Sequence, residues 1–184
     1  MNTNTGNPGL IFVKNQFVSE NVCAWKHNAF SKHKEDKKIF IETGTNTGDG
    51  IANALALEFE QIFSIEIDPI NCNVAKERWK NHKNVTILLG DTATQIQSVL
   101  ENISVPVFFW LDAHFSTSEP TYKELAFIKN HQIKTHTILI DDMSIYFSLP
   151  HIEQTIKDIN PNYVISYEPT WRSQKEILVA KANG

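Results

Sequence analysis

Short apolar runs alternate with stretches of helical periodicity along most of this chain, and the alternation predicts a layered α/β fold. Residues 38–43 (KIFIET) read as an apolar strand that runs into a glycine-rich turn. Residues 49–59 (DGIANALALEF) have helix composition, with Ile51, Leu55 and Phe59 four apart. A second strand is predicted at 62–68 (IFSIEID), and Pro69 suits the first turn of a helix running to about His82. Residues 85–89 read as a third strand, followed by a helix through Ile103. The run 105–111 (VPVFFWL) is apolar almost throughout, as a strand covered on both faces should be. A helix at 122–130, a fifth strand at 136–140 and a helix at 152–159 complete the repeat.

The two ends of the chain break this rhythm. Residues 163–167 and 176–180 are two strands with no helix between them, so they must pair antiparallel, because a parallel return needs a long crossover. Before the first strand, Phe17, Val18, Val22, Trp25, Ala29 and Phe30 recur at spacings of three and four, which predicts one or two helices between Phe12 and His33, after a frayed terminus to Pro8. The expected architecture is a Rossmann-like, doubly wound, seven-stranded sheet ending in a C-terminal antiparallel hairpin. It forms a single domain over 1–184, with a helical cap at 1–36 and the core at 37–184.

Composition narrows the class of partner. With 41% hydrophobic and 21% charged residues the chain reads as a soluble globular protein, and a net charge of -4 gives no electrostatic reason to expect nucleic acid. The basic run from Lys32 to Lys38 contains Glu35 and Asp36 and reads as a solvated face. Cys23 and Cys72 are too few for a disulfide framework or a zinc site, the first residues do not resemble a signal peptide, and no apolar run approaches a membrane span. A cytoplasmic protein without a membrane partner is expected.

The chemistry should sit at the carboxyl ends of the parallel strands, where open α/β sheets bind ligands. Each of the five predicted strands ends in an acid: Glu42, then Glu66 and Asp68, then Asp91, then Asp112, then Asp141 and Asp142. The first turn, from Glu42 through Gly44, Thr45 and Gly48 to Gly50, permits close backbone approach to a ligand, yet it lacks the lysine of a phosphate-cradling loop. Glu66 follows that turn by about 20 residues, where a carboxylate accepts hydrogen bonds from both ribose hydroxyls of an adenosine. An acidic pocket suits a cationic cofactor better than a pyrophosphate. S-adenosylmethionine, with its sulfonium and ammonium, fits that description.

The order ETGTNTG, FSIEID, LLGD, WLDAH and LIDD resembles the class I S-adenosylmethionine-dependent methyltransferases, and within them the metal-dependent catechol O-methyltransferase and macrocin O-methyltransferase types. The resemblance spans roughly 38–181. It implies that Glu42, Gly44, Thr45 and Gly48 surround the methionine part of the cofactor, that Glu66 holds the ribose, and that Asp91 lies beside the adenine amino group. Asp112 would border the cofactor as well. The implied metal ligands are Asp112, Asp141 and Asp142. Three adjacent carboxylates repel one another unless a cation neutralises them, and oxygen ligands without cysteine favour magnesium first, then calcium or manganese, over zinc; helix capping plus one salt bridge is the alternative for Asp141 and Asp142.

The implied reaction is methylation of a small-molecule hydroxyl, with Asp112 and His114 at the catalytic centre. The family's lysine after the first metal-ligand aspartate is missing, for Ala113, His114 and Phe115 stand there. His114 is then a candidate base, a further metal ligand or a packing residue. Trp25, Phe115, Tyr146, Trp171 and Arg172 either line the acceptor site or pack in the core and hairpin. Two other readings stay open: an aminopropyltransferase-like enzyme with a cationic acceptor, and a non-catalytic S-adenosylmethionine-binding module. A second subunit could complete so short a chain's acceptor site, making it a homo-oligomer.

Overall fold

The computed structural model of the protein describes residues 11–13, 16–18, 24–114 and 120–182. Strands β1 (Ile11–Val13) and β2 (Gln16–Val18) pair antiparallel and precede α1 (Ala24–His33). Five strand–helix units follow: β3 (Ile39–Thr43) with α2 (Asp49–Ala56), β4 (Gln61–Glu66) with α3 (Pro69–Trp79), and β5 (Val85–Leu89) with α4 (Thr92–Leu100). The fourth is β6 (Val107–Leu111) with α5 (Thr121–Asn130), and the fifth is β7 (Thr137–Ile140) with α6 (Met143–Tyr146) and α7 (Leu149–Ile159). Strands β8 (Tyr163–Glu168) and β9 (Ile177–Ala182) close the chain as the expected antiparallel pair. The sheet has seven strands in the order β5-β4-β3-β6-β7-β9-β8, which is the predicted Rossmann-like architecture.

The segment before β3 departs from expectation. Phe12, Phe17 and Val18 lie in strands, with Phe12 opposite Phe17, and only the part from Ala24 onward is helical. A run of a few apolar residues carries no decisive period, and IFV and QFV are rich in the β-branched and aromatic types that fit strands. Val22 and the segment to Pro8 lie outside the described residues. The short helix α6, after the fifth strand, was also not anticipated.

Strand pleating sorts the central side chains onto two faces. Ile39, Ile41, Val107, Phe109 and Leu111 join one core layer under α4, α5 and α7. Phe40, Phe108 and Trp110 join the other, where Phe30 of α1 packs edge-on to Trp110 with ring centroids 5.0 Å apart. Phe30 therefore pins α1 across the sheet. Three residues before the helix's first buried position, Lys26 is carried to the carboxyl end of the strands. Strand order reverses between β3 and β6, and a cavity of about 620 Å³ opens at that switch point.

Candidate active site

The glycine-rich turn after β3 forms the floor of the cavity. The Gly44 N–H donates to the Ile65 carbonyl at 2.9 Å, and the Asp112 N–H donates to the Thr43 carbonyl at 3.1 Å, so the ends of β3, β4 and β6 are stitched together. Gly44 has φ 81°, and a side-chain carbon there would lie 2.6 Å from the Asp112 carbonyl oxygen. Gly50, at the start of α2, is tighter still: an added carbon would fall 1.6 Å from Glu42 Oε1. Glu42 is 1% exposed, accepts from Ser64 Oγ at 2.6 Å, and has its carboxyl pKa pushed up to about 8 by burial.

Glu66 is oriented by backbone alone. Its Oε2 accepts from the Asn46 N–H at 2.6 Å and its Oε1 from the Asp68 N–H at 2.9 Å. Each carboxylate oxygen keeps a further lone pair, as a ribose diol requires. Asn46 reaches this geometry with φ 49°, a left-handed conformation that asparagine tolerates better than most residues. Glu42, Gly44, Thr45, Glu66, Asp91, Asp112 and His114 all line the cavity. Gly48 shapes the turn from φ 89° at the N-cap of α2 without lining it, and Asp91 also caps α4 by accepting from the Thr94 N–H at 3.1 Å.

The acids at the ends of β6 and β7 meet cations supplied by the chain itself. Lys26 Nζ donates to Asp112 Oδ2 at 2.7 Å and lies 5.0 Å from the centre of the Trp110 ring, with its side chain 15% exposed. Burial alone would lower the Lys26 pKa, but Asp112, Glu42 and Asp141 outweigh it and hold the ammonium far above its usual range. Arg172 bridges Asp142 and Glu176. Asp141 is buried, accepts from the Asp142 N–H at 2.8 Å, and has its pKa raised by burial and by Asp112. Asp142 sits at φ 55°, a left-handed position at the very end of the strand unit.

His114 stands between these carboxylates, its Nε2 3.4 Å from Asp142 Oδ2 and 3.8 Å from Asp112 Oδ1. Its side chain is 11% exposed, neither ring nitrogen has a hydrogen-bond partner among the described residues, and burial lowers its pKa against the pull of both acids. Tyr146 stacks on the ring with centroids 4.4 Å apart. Asp112, His114 and Asp142 each bring a ligand atom within 4.8 Å of the others, and so do Asp141, Asp142 and Glu176. The expected trio of Asp112, Asp141 and Asp142 is thus divided between two groups that share Asp142.

Of the aromatic candidates, Trp25 packs toward the core beside Trp110, Tyr146 covers His114, and Trp171 is 84% exposed on the hairpin loop. Phe115 lies outside the described residues. Sequence reasoning missed Lys26 altogether. Its only signal was a position next to Trp25 in a helix predicted from apolar spacing, and nothing local says that such a lysine reaches the carboxyl edge of the sheet.

The chain matches no protein-family model and no curated protein. Solved structures do share its fold. The O-methyltransferase from Bacillus cereus in complex with SAH (S-adenosylhomocysteine) superposes with a TM-score of 0.64 at 14% identity, covering 87% of this chain and 80% of that one. The SAH-bound methyltransferase from Podospora anserina gives 0.59 at 13% identity, over 88% and 77%. A SAM-dependent methyltransferase from Aquifex aeolicus gives 0.59 at 16%, over 85% and 88%. At such identities the likeness establishes the Rossmann-like methyltransferase fold. Among the described residues, no helix is long and apolar enough to cross a membrane.

Proposed function

We propose that this protein is an S-adenosylmethionine-dependent methyltransferase acting on a hydroxyl oxygen of a small molecule. The observation that carries the reading is the Glu66 carboxylate, fixed by two backbone N–H groups at the edge of a cavity whose floor is the glycine turn. The fold shared with methyltransferases, one of them an O-methyltransferase, supports it. Bound S-adenosylmethionine supplies an electrophilic methyl on a sulfonium. Glu66 holds the ribose, Asp91 lies on the adenine side, and Glu42 and Asp112 face the cationic amino-acid end. Calorimetry with S-adenosylhomocysteine tests this: Glu66→Ala should weaken binding by about 1–3 kcal/mol, the scale of hydrogen bonds to a charged group. Equal affinity in the variant removes Glu66 from the site.

On the acceptor side, His114 Nε2 takes the hydroxyl proton as the oxygen attacks the methyl carbon and the carbon–sulfur bond breaks. A divalent cation also suits this place, because a buried imidazole nitrogen with no partner among the described residues faces two carboxylates. Asp112, His114 and Asp142 would hold it, with Asp141 bracing the Asp142 backbone, and it would polarise the acceptor oxygen. The two uses of Nε2 exclude one another, and a chelator separates them. Turnover lost in chelator and restored by magnesium or manganese gives the nitrogen to the cation; turnover kept gives it to the proton.

A further inference from the structure

Charge around the cavity is lopsided in an informative way. Its described lining carries six carboxylates, at Glu42, Asp49, Glu66, Asp68, Asp91 and Asp112, and one fixed cation, Lys26. That cation is held rather than loose, gripped by Asp112 at 2.7 Å and flanked by the Trp25 and Trp110 rings at 5.4 and 5.0 Å. It comes from α1, outside the strand–helix repeat that builds the rest of the site. An ammonium shut between aromatic faces and a carboxylate is costly to desolvate and needs a partner that repays it.

Resting on the cofactor reading above, we infer that Lys26 recognises the α-carboxylate of the cofactor's amino-acid end, with Asp112 and Glu42 recognising its ammonium. The Lys26–Asp112 pair then matches the two charges of a zwitterion: each member trades part of its bond to the other for the opposite charge on the ligand. The arrangement selects among adenosyl sulfur compounds. A decarboxylated cofactor brings only positive charge to the amino-acid end and would leave Lys26 facing like charge without a carboxylate to meet. Such a pocket favours methyl transfer from the carboxylated form over aminopropyl transfer from the decarboxylated one.

Three ligands separate the contributions by calorimetry: S-adenosylhomocysteine, its decarboxylated analogue S-adenosyl-3-thiopropylamine, and 5′-methylthioadenosine, which lacks the amino-acid end. In wild type, S-adenosylhomocysteine should bind about 10- to 100-fold more tightly than the decarboxylated analogue, the range of one charge-assisted contact. Lys26→Met should erase that preference and leave 5′-methylthioadenosine binding as it was, which also reports an intact fold. Lys26→Arg should keep most of it. A Lys26→Met protein that binds 5′-methylthioadenosine normally and still prefers the carboxylated ligand overturns the inference while sparing the cofactor reading. A wild-type protein that binds none of the three overturns both.

Discussion

The two halves of the cavity are built by different means. On the side proposed for the cofactor's adenosine, at the ends of β3, β4 and β5, the groups are oriented by nearby backbone: Glu66 by Asn46 and Asp68, Asp91 by the helix it caps, Gly44 by the Ile65 carbonyl. At the ends of β6 and β7, where the cofactor's amino-acid end and the acceptor are proposed to meet, the groups are oriented by one another. Lys26 reaches Asp112 across 86 positions of sequence, and Arg172 reaches Asp142 across 30. Backbone-held groups keep their places when one neighbour is lost. Side-chain charges that neutralise each other do not, since each deletion leaves a buried charge unpaired. The half proposed for the adenosine is therefore a rigid socket, and the half proposed for the amino-acid end and the acceptor is a balance of charges.

The largest expected break falls on the charge-balanced half. His114→Ala should lower kcat by about 10²- to 10⁴-fold, the usual contribution of a positioned proton acceptor, with S-adenosylhomocysteine affinity unchanged. A loss of cofactor affinity of similar size would mean that the halves are one unit. Next comes Gly50→Ala. Its new carbon displaces the Glu42 carboxylate, so stability should fall by about 1–3 kcal/mol, as overpacking does, and cofactor affinity should fall with it. Thermal melts with and without S-adenosylhomocysteine check both; an unshifted midpoint would show that the socket yields.

A smaller effect lies at the opposite edge of the sheet and serves as the reference for both halves. The Val107 N–H donates to His136 Nδ1 at 3.1 Å, so the neutral ring carries its proton on Nε2 and passes it toward His131 Nδ1 at 3.1 Å. His131 Nε2 then donates to the Ile103 carbonyl at 2.9 Å. Burial, followed by the charge of His131, pushes the His136 pKa down from 6.5 to about 3. A depressed folded-state pKa gives stability that is present above the unfolded value and lost as pH falls toward the folded one. Melting temperature should therefore decline from about pH 6.5 toward pH 3, and His136→Asn, which keeps an acceptor for Val107, should flatten part of that decline without altering cofactor affinity. Identical slopes in the two proteins would refute the assignment.

The placement of the backbone-held half was largely legible in the sequence, and that of the charge-balanced half was not. The turn from Glu42 to Gly50, the strand end at Glu66 and the cap at Asp91 each sit within one strand–turn–helix unit, where spacing along the chain becomes spacing in three dimensions. Strand runs were read closely for the same reason, since pleating needs only alternate positions and a boundary. The division of Asp112, Asp141 and Asp142 into two groups depends on how β6, β7 and the loop after β8 meet, and His114 enters through that meeting.

By itself, then, the sequence determined an alternating sheet with a closing hairpin and a row of acids along its carboxyl edge, because hydrophobic period and turn chemistry act over a few residues. Tertiary structure alone decided which cations answer those acids. The apolar spacing of α1 is satisfied when Ala29 and Phe30 are buried against the sheet, whatever Lys26 then faces. Only packing of Phe30 on Trp110 brings the lysine to Asp112, and only closure of the β8–β9 hairpin brings Arg172 to Asp142. Coulomb attraction acts through space and leaves no period in the chain, so a charge partner drawn from a distant element becomes visible when the elements have packed.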